Sequence, residues 1–322
     1  MLVLLGSIYI VGGKMKSLKG NLFIILSACI FGFTPIMGKI TYLNGSNSIM
    51  LTFLRTFFCV PVLWIILKQQ KVSFKLSKPQ LKQLLIISFI GSAVTTLMLY
   101  QSYNYIPVGT ATTLHFVYPV FVALGAILIF KEHLTKPKIL ALVIATAGIS
   151  FFMGGKIEGG LLGILLALVS GLTYAFYILY LDKSSLLALH PLKLSFYINL
   201  FVAGFVFIYG LFTGTLTLAI TPMGWLLSFL VAMLCGFLGI TLFQLGVKLS
   251  GGTTAAILSM FEPITSVVCG IAFLGEPITL KSVLGCVLIL TGVTVLTVFK
   301  GKEPAETPDL NLEFAASEEM EN

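Results

Sequence analysis

Apolar stretches recur along the whole chain, and each is about 20 residues long, enough for a helix to cross the hydrocarbon core of a bilayer. Of the 322 residues 57% are hydrophobic and only 10% are charged, whereas about a quarter of the residues of a soluble protein are charged. Mean hydropathy is +1.04. The sequence therefore predicts an all-α integral membrane protein whose main partner is the lipid bilayer.

Ten of these stretches are long enough to be candidate transmembrane helices. They are Gly20–Leu43, Ser48–Leu67, Gln83–Tyr103, Thr110–Phe130, Ile139–Gly154, Gly160–Tyr180, Leu194–Phe212, Gly224–Val247, Thr253–Leu274 and Ser282–Phe299.

The basic residues are divided unequally between the two sides of this arrangement. If the N-terminus is inside, 16 lysines fall on the inner side and three on the outer side, and Arg55 lies within a span. Because cytoplasmic loops carry the excess of lysine and arginine, both termini are predicted to be cytoplasmic, in a multi-pass protein of the cell membrane. The same distribution accounts for the net charge of +8 without a nucleic-acid partner.

The two ends of the chain differ in character from the spans. The apolar run before Met15 is too short to cross a bilayer, and its lysines follow it, unlike those of a signal peptide. Residues 1–14 are therefore interpreted as preceding the true translation start. Residues 303–322 are acidic and contain few bulky apolar side chains, which is typical of a disordered tail, here cytoplasmic.

The chain resembles itself at a constant spacing. Segment 110–135 aligns without gaps on segment 254–279, and an offset of 144 also relates Gly148 to Gly292. The matched pairs are Thr110 with Thr254, Ala111 with Ala255, Leu114 with Leu258, Pro119 with Pro263, Glu132 with Glu276 and Thr135 with Thr279. The sequence thus predicts two repeats, 15–157 and 158–302. Since each holds five helices, an odd number, the second repeat is inverted in the membrane, which is typical of secondary transporters.

The repeats resemble those of the EamA family in the drug/metabolite transporter superfamily. The matching motifs are "YPVFVALGAILIFKEHLT" in the first repeat and "EPITSVVCGIAFLGEPIT" in the second. In each, a proline precedes a stretch of small residues, and an acidic residue precedes the fifth helix. The resemblance covers about residues 20–300 and implies export or exchange of amino acids or similar metabolites.

Two charged residues within the spans are the strongest candidates for function. Glu262 is the only acidic residue inside an apolar span, where an unpaired carboxylate costs about 3 kcal/mol or more. It is either a proton-coupling or amine-binding group, or a structural acid that is paired or neutral. Arg55 is the only arginine. It either binds a substrate carboxylate bidentately, neutralises Glu262, or extends to the outer surface.

Weaker candidates are the other polar groups within the spans, each of which is alternatively a helix–helix hydrogen bond. The candidates for substrate binding or coupling are Tyr118, His115, Tyr174, Gln244 and Ser259, and further polar groups are Thr34, Tyr100, Gln101 and Asn199. Tyr118 occupies the position in the first repeat that Glu262 occupies in the second. Pro119 and Pro263 follow them and are expected to kink their helices around a cavity.

The chain contains no sequence motif for catalysis or nucleotide binding. It has no phosphate-binding loop, nucleophile elbow or histidine–acid cluster, so no metal, cofactor or enzymatic activity is expected. The predicted function is a secondary transporter for a small-molecule substrate, driven by a gradient such as that of protons. An uptake permease, a membrane-embedded enzyme and a ligand-sensing scaffold remain alternatives, and the sequence leaves open whether the chain acts as a homodimer.

Overall fold

The computed structural model describes residues 13–106, 108–151, 160–274 and 279–298. In these ranges the secondary structure is helical, without strands. In chain order the α-helices are α1 (Gly13–Gly32), α2 (Thr34–Leu43), α3 (Ser48–Phe57), α4 (Cys59–Gln69), α5 (Lys78–Ile86), α6 (Thr95–Ser102), α7 (Val108–His115), α8 (Tyr118–Leu128), α9 (Lys136–Ser150), α10 (Leu161–Lys183), α11 (Pro191–Thr213), α12 (Pro222–Val231), α13 (Ile240–Ser250), α14 (Gly252–Leu258), α15 (Glu262–Leu274) and α16 (Leu280–Val298). The expectations for the chain before Met15 and for 303–322 fall on residues that lie mostly or wholly outside the described ranges.

The apolar helices confirm the predicted fold class. Within the described ranges, eight continuous helical stretches are long and apolar enough to cross a membrane, and Val283–Val298 is a shorter apolar helix. The helix α9, with 15 residues, is shorter still. The protein is therefore an all-α membrane protein, while the count of ten spans stays a prediction.

Helical breaks occur at matching positions in the two repeats. In the first, α7 ends at His115 and α8 begins at Tyr118; in the second, a 3₁₀ turn over Ser259–Phe261 separates α14 from α15. Each proline is the second residue of the helix that begins after the break. A proline there costs no backbone hydrogen bond, because the first N–H groups of a helix have no partner within it.

Two π-helical segments also occupy matching positions. Ile87–Val94 joins α5 to α6, and Ala232–Gly239 joins α12 to α13. The two segments are 145 residues apart, so that Gly91 corresponds to Gly236. A Cβ added at Gly236 would lie 2.4 Å from the backbone oxygen of Arg55. Because Gly236 has no side chain, the second repeat can approach the helix that carries Arg55 closely.

The last helices of the two repeats pack on each other reciprocally. A Cβ at Gly148 in α9 would lie 2.9 Å from the side chain of Ile289, and one at Gly292 in α16 would lie 3.0 Å from that of Ala145. Adding the repeat offset of 144 converts Gly148 to Gly292 and Ala145 to Ile289. This exchange of contacts is the pattern that a two-fold related pair produces.

The two ends of the helix bundle differ in charge. The lysine-rich end comprises the connections 70–77, 129–135 and 184–190 together with Gly251. The lysine-poor end comprises the connections 44–47, 103–106 and 214–221. At the lysine-poor end, Asn47 Nδ2 donates to the backbone oxygen of Thr215 at 2.7 Å, which joins the two repeats.

The lysine-rich end is also joined across the repeats. Lys193 Nζ donates to the backbone oxygen of Lys75 at 2.5 Å. Burial lowers the pKa of His190, and the nearby positive charges of Lys248 and Lys193 lower it further. The electrostatic environment at this end is thus positive, as the loop composition predicts.

Candidate functional site

A cavity of about 110 Å³ lies between the two repeats. Helices or π segments of both repeats line it, so neither repeat alone would form it. Its lining consists of Phe31, Thr34, Arg55, Gly91, Ser92, Thr95, Thr96, Leu99, Tyr100, Tyr103, Thr112, His115, Phe116, Tyr174, Tyr177, Ile240, Phe243 and Glu262.

The cavity extends toward the lysine-poor end of the bundle. Tyr103, which follows the last turn of α6, belongs to its lining at that end. Toward the lysine-rich end, the cavity reaches Tyr177 and Phe243, and beyond it all residues of α14 (Gly252–Leu258) are buried. The cavity lining therefore comes near the lysine-poor end, while a buried helix lies between the cavity and the lysine-rich end.

Arg55 projects from α3 into the cavity. Its Nη1 atom donates a hydrogen bond to Tyr100 Oη at 3.0 Å, and its buried Nε has no hydrogen-bond partner among the described residues. Tyr100 thus fixes the guanidinium while leaving donor capacity unused. A guanidinium with free donors binds a carboxylate well, because its N–H groups match the two oxygens in a planar fork.

Glu262 is the first residue of α15 and contributes the acidic side chain to the lining. The start of a helix is a favourable place for a carboxylate, because the helix dipole is positive there. Gly32 of α1 packs directly against this turn, where a Cβ would lie 2.8 Å from the Glu262 backbone oxygen. Among the ion pairs of the described ranges, none joins Glu262 to Arg55. The two side chains therefore line one cavity without a direct ion pair between them.

Aromatic side chains surround the part of the cavity that lies toward the lysine-rich end. Tyr174 stacks on Tyr177 with ring centroids 5.8 Å apart, and Phe243 lies 6.1 Å from Tyr174. His115 lies 5.5 Å from Tyr174, and its Nδ1 shares a hydrogen bond of 2.8 Å with Ser170 Oγ. This arrangement gives the cavity an apolar wall with few free polar groups.

Three predicted candidates lie outside the cavity lining. Tyr118 is 1% exposed and packs edge-on against Tyr174, and its hydroxyl has no hydrogen-bond partner in the described structure. Gln244 donates to Tyr177 Oη and accepts from Ser195 Oγ, so it joins three helices. The hydroxyl of Ser259 donates to the backbone oxygen of Ala255, four residues earlier in the chain.

Of the further polar residues named from the sequence, two line the cavity and two form hydrogen bonds elsewhere in the bundle. Thr34 and Tyr100 line the cavity. Gln101 Nε2 donates to Ser48 Oγ at 3.2 Å. Asn199 Nδ2 donates to the backbone oxygens of Ser195 and Gly236, and therefore supports helix packing.

Sequence reasoning missed several aromatic residues of the lining, notably Tyr103, Tyr177 and Phe243. One signal was present for Tyr177, which lies three residues after Tyr174 and so shares its helix face. No sequence pattern indicated that Phe243 lines the cavity, because a phenylalanine in an apolar span packs equally well against lipid or protein.

Comparison with known proteins identifies the family. The EamA-like transporter family matches residues 18–154 and again residues 161–298. The two matches correspond to the two repeats and together include almost all of the described structure.

Relatives and a solved structure agree with this match. An uncharacterized transporter of Synechocystis sp., sll1319, is 27% identical over 88% of this chain and 94% of its own length. An uncharacterized transporter of Archaeoglobus fulgidus is 25% identical over 82% of this chain and 92% of its own length. A crystal structure superimposes with a TM-score of 0.75 over 87% of this chain and 96% of its own chain. At 14% identity, that likeness shows the fold alone.

Proposed function

Because the chain belongs to the EamA-like transporter family, we propose that it is a secondary transporter that exports amino acids or related amphipathic metabolites. Ten transmembrane helices, arranged as two inverted repeats, open the cavity alternately to the two sides of the membrane. The chain resides in the cell membrane with both termini in the cytoplasm.

The observation that carries this proposal is the chemistry of the cavity. Arg55 and Glu262 present opposite charges to one space without pairing with each other, and aromatic rings form the neighbouring wall. A zwitterion satisfies both charges, since its carboxylate matches the guanidinium and its ammonium matches the carboxylate. An apolar side chain of the solute then packs on the aromatic wall.

The size of the cavity agrees with a small solute. Its volume of about 110 Å³ is somewhat smaller than a protein cavity of about 150 Å³ that accommodates benzene. Solutes of the size of small amino acids fit this space, and larger ones require the wall to move.

Proton coupling is assigned to Glu262. It is the acidic residue of the lining, and its removal from bulk water makes the charged form costly unless a partner is present. Binding of a proton and binding of a substrate ammonium then compete for one carboxyl group. Such competition couples proton entry to substrate release.

A flux screen with purified protein in liposomes tests the proposal. Liposomes are loaded with pools of labelled amino acids, and release is compared with that from protein-free liposomes. We expect at least one pool to be released faster, with a rate that saturates with solute concentration. Binding without flux would favour a ligand-sensing scaffold, and chemical conversion of the solute would favour an enzyme.

The orientation of the chain is tested by cysteine labelling in intact cells. Asn104→Cys at the lysine-poor end should react with a membrane-impermeant maleimide added outside, while Ser73→Cys at the lysine-rich end should not. Both positions are exposed, so their reactivity depends on the side of the membrane. The reverse pattern would place the termini outside and contradict the assignment from lysine distribution.

The direction of transport needs a separate measurement in cells. Overproduction of the chain should lower the cellular content of the identified solute and raise its external concentration. Accumulation inside the cells would instead identify an uptake permease with the same fold.

A further inference from the structure

A cluster of three charged side chains, Glu132, Asp182 and Lys183, lies at the lysine-rich end of the bundle. Lys183 Nζ forms an ion pair with Glu132 Oε1 and lies 3.2 Å from Asp182 Oδ2. Glu132 follows α8 in the first repeat, whereas Asp182 and Lys183 end α10 in the second. The cluster therefore joins the two repeats.

The backbone next to Glu132 has a conformation that supports its ion pair with Lys183. Lys131 has a φ of 54°, a left-handed conformation that residues with a side chain seldom adopt. It turns the chain back so that the Glu132 N–H donates to the backbone oxygen of Ala126 at 2.9 Å. The ammonium of Lys183 also lies over the ring of Phe130, 5.9 Å from its centroid. Contacts on several sides thus fix the ion pair.

The cluster also contacts the buried helix beyond the cavity. Gly252 begins α14, and a Cβ added there would lie 3.1 Å from the Cβ of Asp182. The side chain of Asp182 is 13% exposed, so its charge is largely removed from water. The ends of α8 and α10 and the beginning of α14 therefore meet at one point.

We propose that Glu132, Asp182 and Lys183 form the gate that closes the lysine-rich end while the cavity extends toward the opposite end. This proposal rests on the proposed function, transport by alternating access. Opening a path from the cavity to the lysine-rich end requires the ends of α8, α10 and α14 to separate. Separation breaks the ion pair between Lys183 and Glu132, so the cluster stabilises the closed arrangement relative to the open one.

The test measures access to the cavity from each side and does not require flux. Ser92, which lines the cavity, is replaced by cysteine, and membrane vesicles of both orientations are treated with an impermeant maleimide. Asn104→Cys and Ser73→Cys report which end faces the reagent. With the gate intact, Ser92→Cys should react from the lysine-poor side only. Adding Lys183→Ala should raise its reactivity from the lysine-rich side about tenfold, as expected for loss of a coupled, partly buried ion pair.

A matched control and a charge exchange complete the test. Lys136→Ala removes an exposed lysine at the same end that forms no ion pair in the described ranges, and should leave the reactivity unchanged. Exchanging the charges, Glu132→Lys with Lys183→Glu, should restore the closed end, because a lysine at 132 faces two carboxylates. Glu132→Gln, which preserves shape, repeats the measurement if Lys183→Ala does not yield folded protein.

Equal reactivity of the Lys183→Ala, Glu132→Gln and Lys136→Ala variants, each as monodisperse as the parent, would overturn the gate. So would a charge-exchanged variant that remains reactive from the lysine-rich side. Absence of flux for every solute combined with the expected labelling would contradict the transport proposal while leaving the gate in place.

Discussion

Replacing Arg55 with lysine should lower the kcat/KM of transport about ten- to a hundredfold, although the positive charge is retained. In the structure Nη1 of the guanidinium donates to Tyr100 and the buried Nε has no hydrogen-bond partner among the described residues, so the group keeps donor capacity for a carboxylate. An ammonium supplies a point charge and cannot reproduce that planar fork. Initial rates of solute release from liposomes, at several solute concentrations, give the comparison.

A matched control uses the exposed Lys39. Lys39→Arg changes the same two residue types outside the cavity, and transport should be unaffected. Wild-type transport by Arg55→Lys would show that the bidentate contact is not used, and wild-type transport by Arg55→Ala would exclude a role for the charge as well.

Replacing Glu262 with glutamine should abolish accumulation against a gradient and the dependence of transport on pH. Glutamine keeps the shape of the side chain but cannot bind and release a proton. Exchange of solute between the two sides should survive, because the cavity and Arg55 are unchanged. Accumulation under an imposed pH gradient, measured beside exchange without a gradient, separates the two effects.

The control for this variant is Glu158→Gln, which neutralises an acidic residue between the two segments that match the family, 18–154 and 161–298. It should accumulate solute normally. If Glu262→Gln also concentrates solute with wild-type pH dependence, the carboxylate is structural and coupling occurs elsewhere or not at all.

Hydropathy in the sequence located the eight helical stretches that are long and apolar enough to cross a membrane, because apolar length decides which segments can lie in lipid. Helix ends were less predictable, since they depend on local capping. The transmembrane helix that was predicted to begin at Gln83 begins five residues earlier in the structure, at Lys78. There, Ser77 and Gln80 form a capping box, with their side chains bonding each other's backbone N–H groups. The π segments gave no sequence signal.

The two charged residues that the sequence singles out line the cavity, whereas contacts between distant segments could not be predicted. Arg55 and Glu262 were identifiable because an ionisable residue within an apolar span is costly and therefore seldom incidental. Glu132, in contrast, forms an ion pair with Lys183 of the other repeat. Nothing local in the sequence reveals that pairing, which depends on how the two repeats pack.

Counterflow in liposomes distinguishes a carrier from a pore or a sensor. Liposomes containing the protein are loaded with a high concentration of the unlabelled solute identified by the flux screen and are diluted into a trace of labelled solute. If the cavity opens alternately to the two sides, labelled solute will transiently accumulate above its external concentration, and Arg55→Lys will strongly reduce this peak. Equilibration without a peak, or no entry at all, would contradict transport by alternating access.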